Sequence, residues 1–244
     1  MAEILYGRQI VLELVRAGRR KIESICLQEG INGPQVDTLY QSPVLAKKIQ
    51  KMTRSSLEHK LPAGVHHQGF AAVVSPFPYD TEEILRPGET SLYLALDSIQ
   101  DPQNVGAILR SAEAMTVDAV IIPKDRACLV TPAVVRASAG ASEHLRVVLI
   151  TNLSRTLREL GEGGSWVVGA ASEGGTPLEK MKWGPQTTLV IGNEGEGLRD
   201  GVAKSCHELV SIPLQGKTAN LNASVAAGVL IYAASRAVCR DRAS

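Results

Sequence analysis

From residue 91 onward the chain repeats one unit: a short apolar run, a turn, then a stretch with helical spacing. Residues 92–96, 118–122, 145–150, 166–170, 188–191 and 209–212 read as strands. Residues 104–115, 132–138, 151–160, 198–204 and 221–238 read as helices, the third with Thr or Asn as its cap. Strands joined through helices lie parallel, and a parallel sheet must be covered on both faces. The strand runs are almost continuously apolar, as that burial requires. The expected class is α/β, with a mostly parallel sheet in the C-terminal part.

The first 75 residues follow a different rhythm. Ile10, Val11, Leu14 and Val15 form a helical stripe within 7–17. Residues 22–27 and 70–74 read as strands, with a helix-like stretch at 44–52 and a polar piece at 53–60 between them. This is a small α/β unit. Pro76, Pro78, Pro87 and Gly88, mixed with charges, then mark a linker. The expected organisation is a domain at 1–75, a linker at 76–90 and a second domain at 91–244.

Charge divides along the same boundary. Residues 1–75 carry 10 Lys+Arg against 6 Asp+Glu, a net of +4, while the whole chain carries only +1. A basic module beside a near-neutral one fits a polyanion-binding accessory to a catalytic domain; a solvated charged surface is the plainer alternative. No apolar run is long enough to span a bilayer, and residues 1–6 lack a charged-then-apolar leader pattern, so a cytoplasmic protein is expected. Cys26, Cys128, Cys206 and Cys239 form no C-x-x-C clip, and the one Cys-His neighbour pair, Cys206 with His207, is too little for a metal. All four read as reduced and structural, and no metal is expected.

Open parallel sheets bind ligands beyond the carboxyl ends of their strands. Three polar, glycine- and asparagine-rich segments fall there: 97–110, 192–197 and 212–224. The common nucleotide motifs are absent. There is no phosphate-binding G-x-x-x-x-G-K-[ST], and Gly192, Gly195 and Gly197 have the reverse spacing of G-x-G-x-x-G. No G-x-S-x-G or Ser-His-Asp pattern occurs, and none of the five histidines lies in the three segments, which disfavours histidine-based acid–base chemistry.

The segments Asp101-Pro-Gln-Asn-Val-Gly-Ala-Ile-Leu-Arg110, Val190-Ile-Gly-Asn-Glu-Gly-Glu-Gly-Leu198 and Ile212-Pro-Leu-Gln-Gly with Asn220-Leu-Asn-Ala-Ser224 resemble the three motifs of the SpoU/TrmH group of SPOUT methyltransferases, in the same order. Ile4-Leu-Tyr-Gly7 and Val65-His-His-Gln-Gly69 resemble the substrate-binding domain of that group, whose fold is like ribosomal protein L30e. The two-domain layout is similar to enzymes that methylate a guanosine ribose in large-subunit ribosomal RNA. The resemblance implies a trefoil-knotted C-terminal domain, an exception to the rule against threaded chains. It implies S-adenosylmethionine held by three loops near 170, 192 and 212–221, and a homodimer with its active site at the subunit interface. It implies 2′-O-methylation of an RNA ribose. Transfer RNA as the substrate, or an RNA-binding module without catalysis, are the alternatives.

The resemblance also implies roles. Arg110 is the catalytic arginine, taking the proton of the ribose 2′-hydroxyl. A guanidinium stays protonated far above neutrality, so orienting a phosphate or stabilising a developing alkoxide suits it better. Asn104 either caps its helix or joins the catalytic cluster. Glu194 helps to hold Arg110, with flanking glycines free to adopt positive φ. Asn222 caps the last helix or belongs to the cluster. Asn220 stands where the group usually has serine, so the serine's role does not transfer directly, and Ala223 replaces a commoner valine. Ala170, Gly192, Ile212, Leu214 and Leu221 are expected against the cofactor, although for Leu214 ordinary core is the preferred reading of the residues. Arg8, Arg19, Arg20 and Lys21, with Arg16 beside them, are expected to neutralise RNA phosphates, in an RNA hairpin loop whose bases are exposed.

Overall fold

The structure is a computed structural model that describes residues 2–86, 88, 90–217 and 220–242, with side chains described to residue 238; Cys239 lies beyond those side chains. It divides into two compact units, Met1–Pro78 with Val130–His144, and Tyr79–Leu129 with Leu145–Ser244.

In chain order the elements are β1 (Glu3–Tyr6), α1 (Arg8–Ala17), β2 (Ile22–Gln28), α2 (Pro34–Tyr40), α3 (Pro43–Ala46), β3 (Ile49–Met52), α4 (Arg54–Glu58) and β4 (Phe70–Val74). They continue with β5 (Ser91–Leu96), α5 (Pro102–Ala114), β6 (Ala119–Pro123), α6 (Pro132–Ala137), β7 (Val147–Ile150) and α7 (Leu153–Glu162). The chain closes with β8 (Trp166–Ala171), β9 (Thr176–Pro177), β10 (Gln186–Ile191), α8 (Asp200–Ala203), β11 (Glu208–Ser211) and α9 (Ala223–Arg242).

The first unit is a four-stranded mixed sheet, in the order β1-β4-β2-β3. β4 runs antiparallel to both neighbours, and β2 and β3 are parallel. The stretch 44–52, expected to be helical, is split. α3 is one turn, capped by Ser42 Oγ accepting from Leu45 N, and the chain then extends into β3. The backbone of β3 pairs with Ile25–Gln28, and this pairing outweighs the local helical spacing. The polar piece at 53–60 is in part the helix α4, capped by Thr53 Oγ1 accepting from Ser56 N.

The segment 130–144, read from sequence as part of the second domain, belongs to the first unit. A buried ion pair explains its place. Arg20 meets Glu143 with two bonds, Nε to Oε2 at 2.9 Å and Nη2 to Oε1 at 3.0 Å. Its Nη1 reaches Glu3 Oε2 at 2.6 Å and the Ser75 carbonyl at 3.2 Å. The Phe77 ring lies 5.0 Å from its guanidinium carbon. Burial pushes the Glu143 carboxyl up from its ordinary value, against the pull of Arg20.

The second unit is a seven-stranded sheet in the order β7-β6-β5-β10-β8-β11-β9, parallel at every pairing. Burial is complete along β5, β6 and most of β10, as near-continuous apolar runs require. α5 buries Val105, Ile108, Leu109 and Ala112, the three- and four-residue spacing of one helix face. It packs on α9, which buries Ala223, Ala227, Leu230, Ile231, Ala234 and Val238. The opposite face is closed by Leu153, Leu157 and Leu160 of α7, with Val202 of α8, against Tyr93, Ala95, Ile121 and Val190. α7 begins at Asn152, whose side chain accepts from Arg155 N. β5, β10, β8 and β11 lie side by side at the centre, and their carboxyl ends open on one edge. No described helix is long and apolar enough to cross a membrane.

Candidate active site

The loop after β10 is shaped by its own backbone. Asn193 and Gly197 exchange two main-chain hydrogen bonds, 3.0 and 2.9 Å, which close residues 193–197 into a narrow ring. A Cβ at residue 192 would lie 2.4 Å from the carbonyl carbon and oxygen of Gly197, so only glycine lets this neck close. The left-handed conformation falls on Gly197, φ 68°, and not on Gly192 or Gly195 as the sequence reading allowed. Gly192 therefore serves the loop's own closure.

Two further contacts hold the loop to the sheet. Asn193 donates its side-chain amide to the carbonyl of Ser98, at 3.0 Å. Asp97, fully buried at the end of β5, accepts from Arg199 N at 2.9 Å and from Arg199 Nε at 2.7 Å. Sequence reasoning passed over Asp97, Asn193 and Arg199. A carboxylate directly after a wholly apolar strand was the available signal, because a buried charge needs a partner.

Glu194 is the hub of the polar cluster. Its Oε1 accepts from Asn104 Nδ2 at 2.6 Å, from Asn222 Nδ2 at 2.6 Å and from Ala223 N at 3.4 Å. Asn222 Nδ2 also donates to Asn104 Oδ1, at 3.0 Å. Three residues that are 90 and 28 positions apart along the chain thus share one oxygen. The N-cap of α5 is Asp101, which accepts from Gln103 N, so Asn104 is released from capping and turns, buried, to Glu194. Asn222 accepts through Oδ1 from Ser224 N at 2.9 Å at the start of α9, while its amide donates to Glu194 and Asn104.

Arg110 differs from its expected setting. It is exposed on α5, and among the described residues it makes no hydrogen bond or ion pair. Glu194 is held by two asparagines and does not hold Arg110. Asn104 and Arg110 are six positions apart, which turns the two side chains to different faces of the helix.

Between these loops lies a hollow of about 190 Å³. Ala170, Gly192, Ile212, Leu214, Leu221 and Asn220 all line it, with Glu194 and Glu196 among its polar groups. Leu214 is 40% exposed, so it is not core. The arrangement offers apolar side chains beside loop backbone, suited to a flat heteroaromatic ring, and carboxylates suited to a cationic group. Burial pushes the Cys206 thiol up to about 12, in keeping with an inert structural thiol. No group of three His, Cys, Asp or Glu among the described residues is placed to hold a metal.

The N-terminal cations are not alike. Arg8 and Lys21 are exposed. Arg19 is half-buried and donates to the carbonyl of Pro78. Arg16 pairs with Glu13 at 2.6 Å. Arg20 is a correction to the expected RNA contacts: its side chain is wholly buried and it donates to Glu3, Glu143 and Ser75, so it is closed to a phosphate.

Comparison with known proteins agrees with this geometry. The SpoU rRNA Methylase family model matches residues 91–232, and a model described as RNA 2′-O ribose methyltransferase substrate binding matches residues 4–80. A Staphylococcus haemolyticus protein assigned to the TrmH family of tRNA/rRNA methyltransferases is 37% identical over 235 residues, 94% of this chain and 93% of that protein. The SpoU methyltransferase AviRb of Streptomyces viridochromogenes, solved with the cofactor AdoMet, superimposes with a TM-score of 0.78 at 24% identity, covering 99% of this chain and 90% of that one. A solved RNA 2′-O ribose methyltransferase gives a TM-score of 0.79 at 25% identity, covering 97% and 88%. The chain belongs to the SpoU rRNA methylase family, part of the SpoU/TrmH group of RNA methyltransferases.

Proposed function

We propose that the chain methylates a ribose 2′-hydroxyl in RNA, on a guanosine of large-subunit ribosomal RNA, with S-adenosylmethionine as donor. The observation that carries this reading is the convergence of three loops, distant in sequence, on one hollow beside the Glu194–Asn104–Asn222 cluster. S-adenosylmethionine supplies an electrophilic methyl on a sulfonium. The residues present fit it: Ile212, Leu214, Leu221 and Ala170 offer an adenine apolar contact, and Glu194 and Glu196 complement positive charge. The cluster holds loop 192–197 against the start of α9 and so fixes the hollow's shape. Arg110, unengaged by other described residues, is free to meet the RNA. Its guanidinium stabilises negative charge developing on the ribose oxygen, or orients the adjacent phosphate, by position and charge. Arg8, Arg19 and Lys21 contact the phosphates of a hairpin in that RNA, and the work is done in the cytoplasm.

Mapping of ribose methylation in RNA from cells with and without the protein is the test. Loss of one 2′-O-methylguanosine in large-subunit ribosomal RNA is expected. Loss of a transfer RNA mark would redirect the substrate, a reading that the TrmH-family tRNA/rRNA relative keeps in view. An unchanged map of both RNAs would refute the reading.

The same proposal includes a homodimer and a knotted C-terminal domain. Val225, Val229 and Tyr232 are 51%, 39% and 54% exposed along one stripe of α9, an apolar face without a described neighbour and suited to a second copy. Tyr232→Lys is expected to give a monomer by light scattering, and an unchanged dimer mass would rule out this face. Proteolysis or crystallography that shows α9 leaving the fold without passing through a loop would rule out the knot.

A further inference from the structure

The first unit contains a second hollow, of about 430 Å³, lined by Arg54, Glu58 and the loop 61–67. Leu61, Pro62 and Val65 give it apolar walls, and His67 reaches it from a side chain that is only 7% exposed. Nδ1 of His67 accepts from Gly69 N at 3.0 Å. A ring nitrogen that accepts carries no proton, so in the neutral ring the proton sits on Nε2. That Nε2–H stands 3.8 Å from Glu58 Oε1, side by side with the carboxylate and too far for a good hydrogen bond. The same oxygen, Oε1, accepts from Arg54 Nε at 2.8 Å, and this guanidinium holds the Glu58 carboxyl below the usual carboxylate range; no described contact is made to Oε2. The loop is braced: Gln68 and Gly69 both take left-handed backbone, φ 54° and 79°, and a Cβ at Gly69 would collide with the Ile31 side chain.

A donor beside an ionised acceptor, between apolar walls, is a reader of a base edge. We propose that this hollow takes an unpaired guanine of the substrate RNA. Guanine alone among the four bases sets a carbonyl acceptor next to two adjacent N–H donors. The two oxygens of Glu58 accept from N1–H and N2–H, and His67 Nε2–H donates to O6. Adenine, cytosine and uracil each lack the adjacent pair of donors. A phosphate is the poorer occupant, because the Arg54 guanidinium at the hollow is already paired with the Glu58 carboxylate that would repel it, and among the described residues no group of three ligands is placed to hold a metal. The inference rests on the reading of residues 4–80 as an RNA substrate-binding domain, and it adds a recognition pocket separate from the hollow assigned to the cofactor.

Binding of the full chain to the single-stranded heptanucleotides UUUGUUU, UUUAUUU and UUUUUUU, followed by fluorescence anisotropy, tests it. The guanine oligonucleotide is expected to bind about tenfold tighter than the other two, the scale of one good bidentate base contact. Inosine in its place, lacking the N2 amine, should fall between. Glu58→Gln, at a side chain that is 49% exposed, should erase the preference, read as the ratio of UUUGUUU to UUUUUUU affinity, while leaving the thermal midpoint unchanged. Equal binding of all oligonucleotides, or a guanine preference that survives Glu58→Gln, would overturn the pocket and leave the RNA-binding reading standing. Failure to bind any oligonucleotide or a folded ribosomal RNA fragment would overturn both.

Discussion

Arg110→Ala is expected to slow methyl transfer by about 10²–10³-fold, the scale of losing one charge-stabilising donor, while S-adenosylmethionine binds as it does to the unaltered chain. The separation follows from geometry. Arg110 is exposed on α5, is not among the residues around the 190 Å³ hollow, and makes no contact with Glu194. Its removal therefore leaves the cofactor's walls and the Asn104–Glu194–Asn222 cluster in place. Single-turnover methylation of RNA measures the first quantity and titration calorimetry the second. Arg110→Lys keeps the charge but loses the planar fork, and should recover only part of the rate. Unchanged turnover in Arg110→Ala would remove this residue from the mechanism. Undetectable cofactor binding in the unaltered chain would remove the hollow.

Arg20→Ala should lower the stability of the first unit by about 3–5 kcal/mol, the usual cost of stranding one member of a buried pair. Glu143 would lose both of its hydrogen bonds to the guanidinium while remaining 1% exposed, and Glu3 would lose a 2.6 Å contact. Burial already pushes the Glu143 carboxyl up, so without Arg20 it would take a proton rather than stay charged. Denaturant unfolding of the full chain, followed in the first unit, measures the loss. Replacing both partners with apolar residues of similar size should restore much of it, because neither charge is then stranded. A loss under about 1 kcal/mol would contradict the arrangement, since that is the range of exposed pairs.

Arg20 also shows where reading from sequence stops. Five cations in fourteen residues, Arg8, Arg16, Arg19, Arg20 and Lys21, looked alike as a phosphate-binding group. Only Arg8 and Lys21 are both exposed and unpaired through their side chains among the described residues. Arg20 meets its partner 123 residues away. Composition and spacing record which charges exist, and they carry no record of pairing at that separation. The same limit hid Asp97, whose partner Arg199 lies 102 residues on, and it misplaced Glu194, whose true neighbours are Asn104 and Asn222.

Sequence by itself determined the α/β class, the apolar strands of the C-terminal unit and the three polar segments at their carboxyl ends. These are local or periodic properties: a strand buried on both faces must be apolar throughout, and a helix packed on one side must show its three- and four-residue stripe. Only the tertiary structure decided that 44–52 breaks into a turn of helix and a strand, that 130–144 sides with the first unit, and that one carboxylate oxygen ties two asparagines together. Each of these depends on a partner far along the chain, and buried polar groups take their positions from that partner because leaving it unmade costs more than any local preference.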